Sequence, residues 1–513
     1  MENAYVYLGV ALVSVFIVLA SRRRSAARRG DGLRLAPGPW QLPVIGSLHH
    51  LARDLPHRAM RDLARRHGPV MFLRLGEVPT LVVSSREGAS EVMKTHDTTF
   101  ATRPLSSTIR VLTNSGGDLA FAPYGEYWRQ LRKIAVMELF TARRVLSFRT
   151  IREEEVAAML REVSDAAAAD RPVEMHARLS ALVTDSTVRS VMGDRFKERE
   201  VFLRELDRSM KLAAGFNPPD LWPSSRLVGW LSGACRLAKE CRDVGNGVLD
   251  AIIQEHMERM EGGGGQAEDL LDVLLTIQKE SRQHFRLDMD AVKSVIFDIF
   301  GAGSETSTTT LEWAIAELVM NPKVMQKATA EVRRVFEAGG AVVEHNLGEL
   351  RYFHLVIRET LRLHAPVPLL LPRECQEPCK VLGYDVPRGT QVLVNAWALG
   401  RDERYWPDAP EEFRPERFEG ENAAAAEFKG TDFSFLPFGA GRRMCPGMAF
   451  GLANVELALA SLLFHFDWEI PPAAEFDMAE SFGLTARPKA KLLLRPVLRV
   501  PIVGALSKGK ADR

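Results

Sequence analysis

The chain predicts a mainly α fold with small β-sheets (α+β), folded as one large domain behind an N-terminal transmembrane anchor. Three observations carry that expectation. Apolar residues recur at three- and four-residue spacing along most of the 513 residues. Strand-like runs are short and fall near the two ends and after residue 365. An uncharged apolar run, Ala4–Ala20, ends against a cluster of arginines.

Composition narrows the class before any motif is read. Lys and Arg number 67 and Asp and Glu 66, a formal charge of +1. The sum hides an asymmetry: residues 1–34 hold six arginines against two acids, leaving 61 bases and 64 acids in the rest. No basic domain of the kind that binds nucleic acid is present, so no nucleic-acid partner is expected. Hydrophobic content of 46% and charged content of 26% exclude general disorder. Five cysteines are too few and of the wrong parity for a disulfide framework, which favours a reducing compartment. Cys375 and Cys379 have the spacing of half a metal site, but no matching second pair follows.

Each element has its own reason. Residues 1–21 form the anchor: the seventeen residues Ala4–Ala20 reach the short edge of a membrane span. No positive charge precedes the run and five arginines follow within ten residues, the reverse of a cleaved signal peptide. Positive charge stays cytosolic, so the body lies on that side of the membrane. Residues 22–46 form a basic, proline-rich hinge, in which Pro37, Pro39 and Pro43 lock φ and remove donors, making a stiff spacer. Residues 47–505 form the large globular domain and 506–513 a C-terminal tail. Within the domain, helical periodicity marks 91–96, 128–140, 151–169, 270–280, 290–320, 322–336 and 350–364. Strands are expected at 70–75, 80–84, 391–395 and 492–500, and an internal linker at Gly262–Gly265.

The chemistry concentrates at Phe438-Gly439-Ala440-Gly441-Arg442-Arg443-Met444-Cys445-Pro446-Gly447. Glycines expose backbone N–H groups and arginines supply positive charge, and both stabilise a thiolate. A helical pattern starts just after the cysteine, adding the positive end of a helix dipole. A thiolate held this way suits haem iron. The segment fits every fixed position of the haem-thiolate signature FxxGxRxCxG, and the sequence resembles a cytochrome P450, specifically a plant microsomal one.

The resemblance runs from the anchor almost to residue 500 and assigns further residues. It implies haem b, with Cys445 as the axial iron ligand and Phe438, Gly439 and Gly447 shaping the cofactor loop. Trp128 and Arg132 lie four apart on one helical face. In the family such a helix, with the arginines matching Arg443 and Arg373, binds the haem propionates, a task suited to the guanidinium fork. Glu359 and Arg362 share a helix face and, with Arg417 of a PERF segment, match a structural trio rather than a catalytic one. Glu305 and Thr306 match an acid–alcohol pair that relays protons during oxygen activation. They sit in Gly301–Ser307, where two glycines and a back-bonding threonine would loosen the helix.

By similarity the substrate walls hold Ile109, Val111, Leu112, Phe121, Phe297, Ala302, Val367, Leu369, Leu370 and Leu484. Such a lining suits a small apolar guest. The segments PVPLLLPRE and WPSSRL are most similar to plant members that oxidise sesquiterpene or diterpene skeletons; phenolic, indolic and lipid-derived metabolites are the alternative. The resemblance therefore implies an NADPH-dependent monooxygenase on the endoplasmic reticulum membrane, single-pass with a cytosolic domain. No nucleotide fingerprint of its own appears, so electrons come through a separate NADPH–cytochrome P450 reductase. Arg129, Lys133 and Arg442 are candidate docking residues. A haem-thiolate isomerase or dehydratase, which could dispense with Glu305 and Thr306, and a non-enzymatic binding protein, which needs no thiolate, are the competing classes.

Overall fold

The computed structural model describes residues 32–194, 196–262, 269–280, 287–419, 428–472, 476–481 and 483–502. The anchor, Gly263–Gly265 of the expected linker and the C-terminal tail lie outside them. Two hydrophobic cores share one axis, the 32-residue helix Met289–Met320. Its N-terminal half buries Val292, Ile296 and Phe300 against the helices Arg199–Ala213, Ala234–Glu261 and Leu270–Glu280. Its C-terminal half buries Leu311, Trp313 and Ile315 in a larger core with Arg149–Ala168, Met175–Met192, Arg351–Leu363 and Met448–His465. The helix starts where Asp288 caps it, accepting from the Ala291 amide. The segment Gly301–Ser307 lies where the two cores meet, and there the helix runs on without a break. The expected back-bond is present, the Thr306 hydroxyl donating to the Ala302 carbonyl at 2.6 Å, and Thr308 repeats it on the Ser304 carbonyl at 2.9 Å.

Sheets are small and lie to one side. A four-stranded sheet runs in the order Val70–Leu75, Val78–Val83, Gln391–Val394, Arg373–Glu374. The first pair is an antiparallel hairpin with Leu75 opposite Val78, the second is parallel, and the third antiparallel with Arg373 opposite Val392. That last pairing fixes Arg373, whose side chain enters the site described below. Leu493–Leu498 pairs with Val173–Glu174 and Phe466–Glu469 in a three-stranded sheet.

Two differences from the sequence reading have physical causes. The expected helix at 128–140 is an α-helix, Glu126–Ile134, followed by a π-turn, Ala135–Leu139. The proline-rich segment, expected as a free-standing spacer to residue 46, is laid onto the domain. Phe72 donates its amide to the Pro37 carbonyl at 2.8 Å, and Trp222 donates its indole N–H to the Val44 carbonyl at 2.9 Å. Prolines cost donors but keep carbonyls, and those carbonyls are what the domain takes. Among the described residues, one helix is apolar enough to cross a membrane, Met448–His465, with mean hydropathy 1.5. It lies in the larger core with 67% of that stretch buried, and packing rather than lipid explains its composition.

Candidate active site

The cysteine loop is built by backbone first. Gly439 and Gly441 both adopt the left-handed region, with φ of +68° and +67°. At Gly441 a Cβ would also stand 2.4 Å from the Met93 carbonyl oxygen, so only glycine fits. The Cys445 amide donates to the Phe438 carbonyl at 3.0 Å and closes the loop. The final long helix, Met448–His465, begins three residues later, with its positive end toward the sulfur. Cys445 is enclosed by protein on all sides yet retains accessible surface, and that surface belongs to an internal cavity. Burial pushes the thiol up from its ordinary range, opposed by a hydrogen bond from the Gly447 amide and by the charge of Arg132.

The cavity above this loop has a volume of about 270 Å³. Trp128, Arg132, Arg373, Phe438, Gly439, Arg443 and Gly447 all line it with Cys445, so the whole expected cofactor set converges on one space. Arg103, which the sequence reading missed, lines it too. Among the described residues, only one carboxylate, Asp298, lines the same space. Burial lowers the affinity of Arg443 for its proton, and neighbouring Arg373 and Arg132 lower it further, to about 9. Burial acts on Arg103, Arg132 and Arg373 in the same direction. No described carboxylate pairs with Arg132. Crowded guanidinium groups short of carboxylates, facing a thiol, fit haem with its two propionates and its iron.

One indole behaves differently from expectation. Trp128 donates its N–H to the Leu119 carbonyl at 3.1 Å, and Arg443 stacks on its ring at 4.2 Å. It therefore supports the arginine that faces the cavity instead of offering its own donor. Arg443 also donates from Nε to the Ala101 carbonyl at 2.6 Å and reaches the carbonyls of Leu119 and Ala122. Arg373 donates to the Ala440 carbonyl at 2.8 Å and meets Asp97 at 3.4 Å, tying the small sheet to the cysteine loop.

Asp298, Ala302, Thr306 and Thr310 recur every four residues and all line the cavity, so one face of the long helix forms its wall. Glu305 does not line it. The cavity takes the neighbouring pairs Asp298–Ile299, Ala302–Gly303 and Thr306–Ser307, and Glu305 falls on the side of the helix that turns from it. The Glu305 carboxylate instead accepts from the Thr485 hydroxyl at 2.5 Å.

The trio Glu359, Arg362 and Arg417 is assembled and buried. Arg362 binds Glu359 in a two-pronged pair at 2.7 and 2.8 Å, with both side chains fully inaccessible. Arg417 Nε adds a third contact to Glu359 at 2.8 Å. Phe418, beside Arg417, packs on Phe435, Phe435 on Phe428, and Phe428 on Phe438 of the cysteine loop. That aromatic chain carries the trio's rigidity to the cofactor loop.

The expected substrate walls divide. Ala302, Val367 and Leu370 line the cavity. Ile109, Phe121, Leu369 and Leu484 line a second cavity of about 410 Å³, which shares Val367 and Leu370 with the first. Val111 and Leu112 belong to neither: they pack on Leu212, Ala234 and Ala238. Phe297 also turns away, its ring set edge to face with Phe202 and close to Gly245. Position 297 lies on the side of the helix shared with Gly301 and Glu305, which do not line the cavity either.

Comparison with known proteins agrees with this architecture. Residues 36–494 match the family model described as Cytochrome P450. The chain is 48% identical over 507 residues to dolabradiene monooxygenase of Zea mays, covering 98% of this chain and 99% of that one. It is 44% identical over 515 residues to ent-cassadiene hydroxylase of Oryza sativa subsp. japonica, covering 98% of each. Among solved structures, a zebra fish cytochrome P450 determined with abiraterone superposes with a TM-score of 0.72 at 28% identity, covering 86% of this chain and all of that one.

Proposed function

The chain belongs to the cytochrome P450 family, and on that premise we propose that it inserts one oxygen atom of dioxygen into a small sesquiterpene or diterpene. The carrying observation is the cavity in which Cys445 and the arginines meet a wall of Ile299, Ala302, Val367, Leu370 and Leu371. Such a wall holds a hydrocarbon skeleton by shape and leaves orientation to few polar groups. Two relatives across nearly the full length are named for acting on dienes, which supports the terpenoid reading.

When bound, haem supplies the redox chemistry that activates dioxygen. Arg132, Arg373 and Arg443 would hold its carboxylates, and Cys445 would ligate its iron. The Gly447 amide donates to the sulfur and moderates its charge. Thr306 keeps acceptor capacity on its hydroxyl oxygen at the cavity wall and serves as the final proton carrier. Glu305, whose carboxylate accepts from the Thr485 hydroxyl, would serve as the acid from outside the cavity. Electrons arrive from a redox partner, which we identify with a membrane-bound NADPH–cytochrome P450 reductase. Arg129 and Arg442 both lie over the Tyr124 ring at 5.8 Å, and with exposed Lys133 and Met137 they form a basic, part-apolar surface for it. Residues 1–21 would anchor the domain to the endoplasmic reticulum membrane, with the catalytic part cytosolic.

Product analysis by mass spectrometry tests the substrate class. Microsomes carrying this protein and a reductase would be offered sesquiterpene and diterpene panels beside phenolic and indole panels. Gain of one oxygen atom is expected on a terpenoid; oxidation confined to the phenolic or indole panel would overturn the terpenoid reading.

A further inference from the structure

The carboxyl group of Asp298 stands one helical turn before Ala302 and two before Thr306, on the same cavity-facing stripe. Its hydrogen bonds are lopsided. Both the Leu119 amide at 2.7 Å and the Ala120 amide at 3.1 Å donate to one oxygen, Oδ2. Among the described residues no group bonds Oδ1, and no Lys, Arg or His lies within ion-pair distance of either oxygen. The side chain is enclosed by protein, and the accessible surface it retains is cavity surface.

Resting on the terpenoid reading above, we propose that Asp298 determines specificity by hydrogen-bonding, through Oδ1, a hydroxyl or keto oxygen already present on the substrate. The substrate class is then an oxygenated terpenoid, and the preceding step must place that oxygen, by oxygenation or by water capture during cyclisation.

The electrostatics point the same way. Burial raises the Asp298 carboxyl well above the ordinary carboxylate range, and the nearby Asp118 carboxylate raises it further. The two backbone amides oppose this without reversing it. In its acid form the group accepts two N–H bonds on Oδ2 and carries a proton on Oδ1, with no acceptor supplied by the described protein. A bare hydrocarbon would leave that donor unmatched in an apolar space. A substrate oxygen would satisfy it, and sites built to bond a hydroxyl discriminate strongly against analogues that lack it. The amides of Leu119 and Ala120 occupy the other oxygen, so the turn at residues 117–122 holds the carboxyl in place. That turn is itself held by Tyr127 on Gly117, Trp128 on Leu119 and Arg103 on Ala120.

The test measures substrate-induced shifts of haem absorption with purified holoenzyme and a matched pair, a terpene hydrocarbon and its mono-alcohol. The wild type is expected to bind the alcohol at least tenfold more tightly. Asp298→Asn keeps an acceptor for the two amides and a donor toward the cavity, and is expected to retain the preference. Asp298→Ala is expected to erase it. Equal binding of the pair by the wild type, or persistence of the preference in Asp298→Ala, would overturn the proposal. The wild-type comparison decides alone if Asp298→Ala fails to take up haem. If no terpenoid shifts the spectrum but a phenol and its unhydroxylated parent show an Asp298-dependent preference, the terpenoid reading fails and recognition by Asp298 stands.

Discussion

Thr306 shows how much a single side chain depends on its position along one helix. Its hydroxyl donates to the Ala302 carbonyl at 2.6 Å and lines the cavity, whereas Glu305, one residue earlier, faces Thr485. Only the alcohol of the expected pair thus meets the reacting space directly. Thr306→Ala is expected to keep haem but to divert reducing equivalents into hydrogen peroxide. Product formed per NADPH should fall by roughly 10²-fold, the low end of what positioned proton transfer contributes. Unchanged coupling, measured as product and peroxide against NADPH consumed, would remove Thr306 from the proton path. Residues of this kind were legible because they lie in contiguous text: ten residues around Cys445 sufficed to name a haem thiolate. Arg103 and Asp298 were not, because their partners are far away in sequence. Asp298 meets the 119–120 amides across 179 and 178 positions, and nothing local reports that meeting. The one available signal was an acid inside the apolar run VIFDIF of a buried helix, where an unpaired charge has a cost.

Elements are joined here by buried polar knots as well as by apolar faces. Glu480, in the short strand Glu480–Ser481, meets His57 at 2.9 Å and Arg58 at 2.8 Å on the helix Pro56–His67. It also accepts from Trp397 at 3.2 Å. Burial alone would raise this carboxyl, but the His57 hydrogen bond and the charges of His57, Arg58 and Arg401 overcome it and hold it at about 2. A carboxyl depressed on folding stabilises the protein above the unfolded value, near 4.5, and loses that contribution as pH falls toward 2. The contribution is of order 3 kcal/mol. Glu480→Gln should cost a comparable amount at neutral pH and flatten the decline below pH 4.5, read by denaturant unfolding across pH. An identical acid decline in both proteins would contradict this. Helix periods were readable from the sequence, and 270–280 and 322–336 match to the residue. The π-turns were not, because an inserted residue leaves the apolar spacing nearly unchanged.

At the scale of the molecule, the site occupies the seam between two cores that share one long helix. The smaller core supplies Ile299 and Leu119, the larger one Leu361 and Val455, and the cysteine loop closes the space between them. Neither core is complete without Met289–Met320, which contributes buried side chains to both. The overall class was visible in the sequence, but the docking of the proline segment was not. Stiffness can be read from prolines, whereas the surface they rest on is set by carbonyls and distant donors. The central claim is that Cys445 supplies the thiolate that makes the cavity a haem-thiolate oxygenation site. The most direct measurement is the absorption of the reduced, carbon-monoxide-bound protein, for the wild type and for Cys445→Ala. The wild type should show the thiolate-haem band and Cys445→Ala should lose it; a band retained without the Cys445 sulfur would contradict the claim.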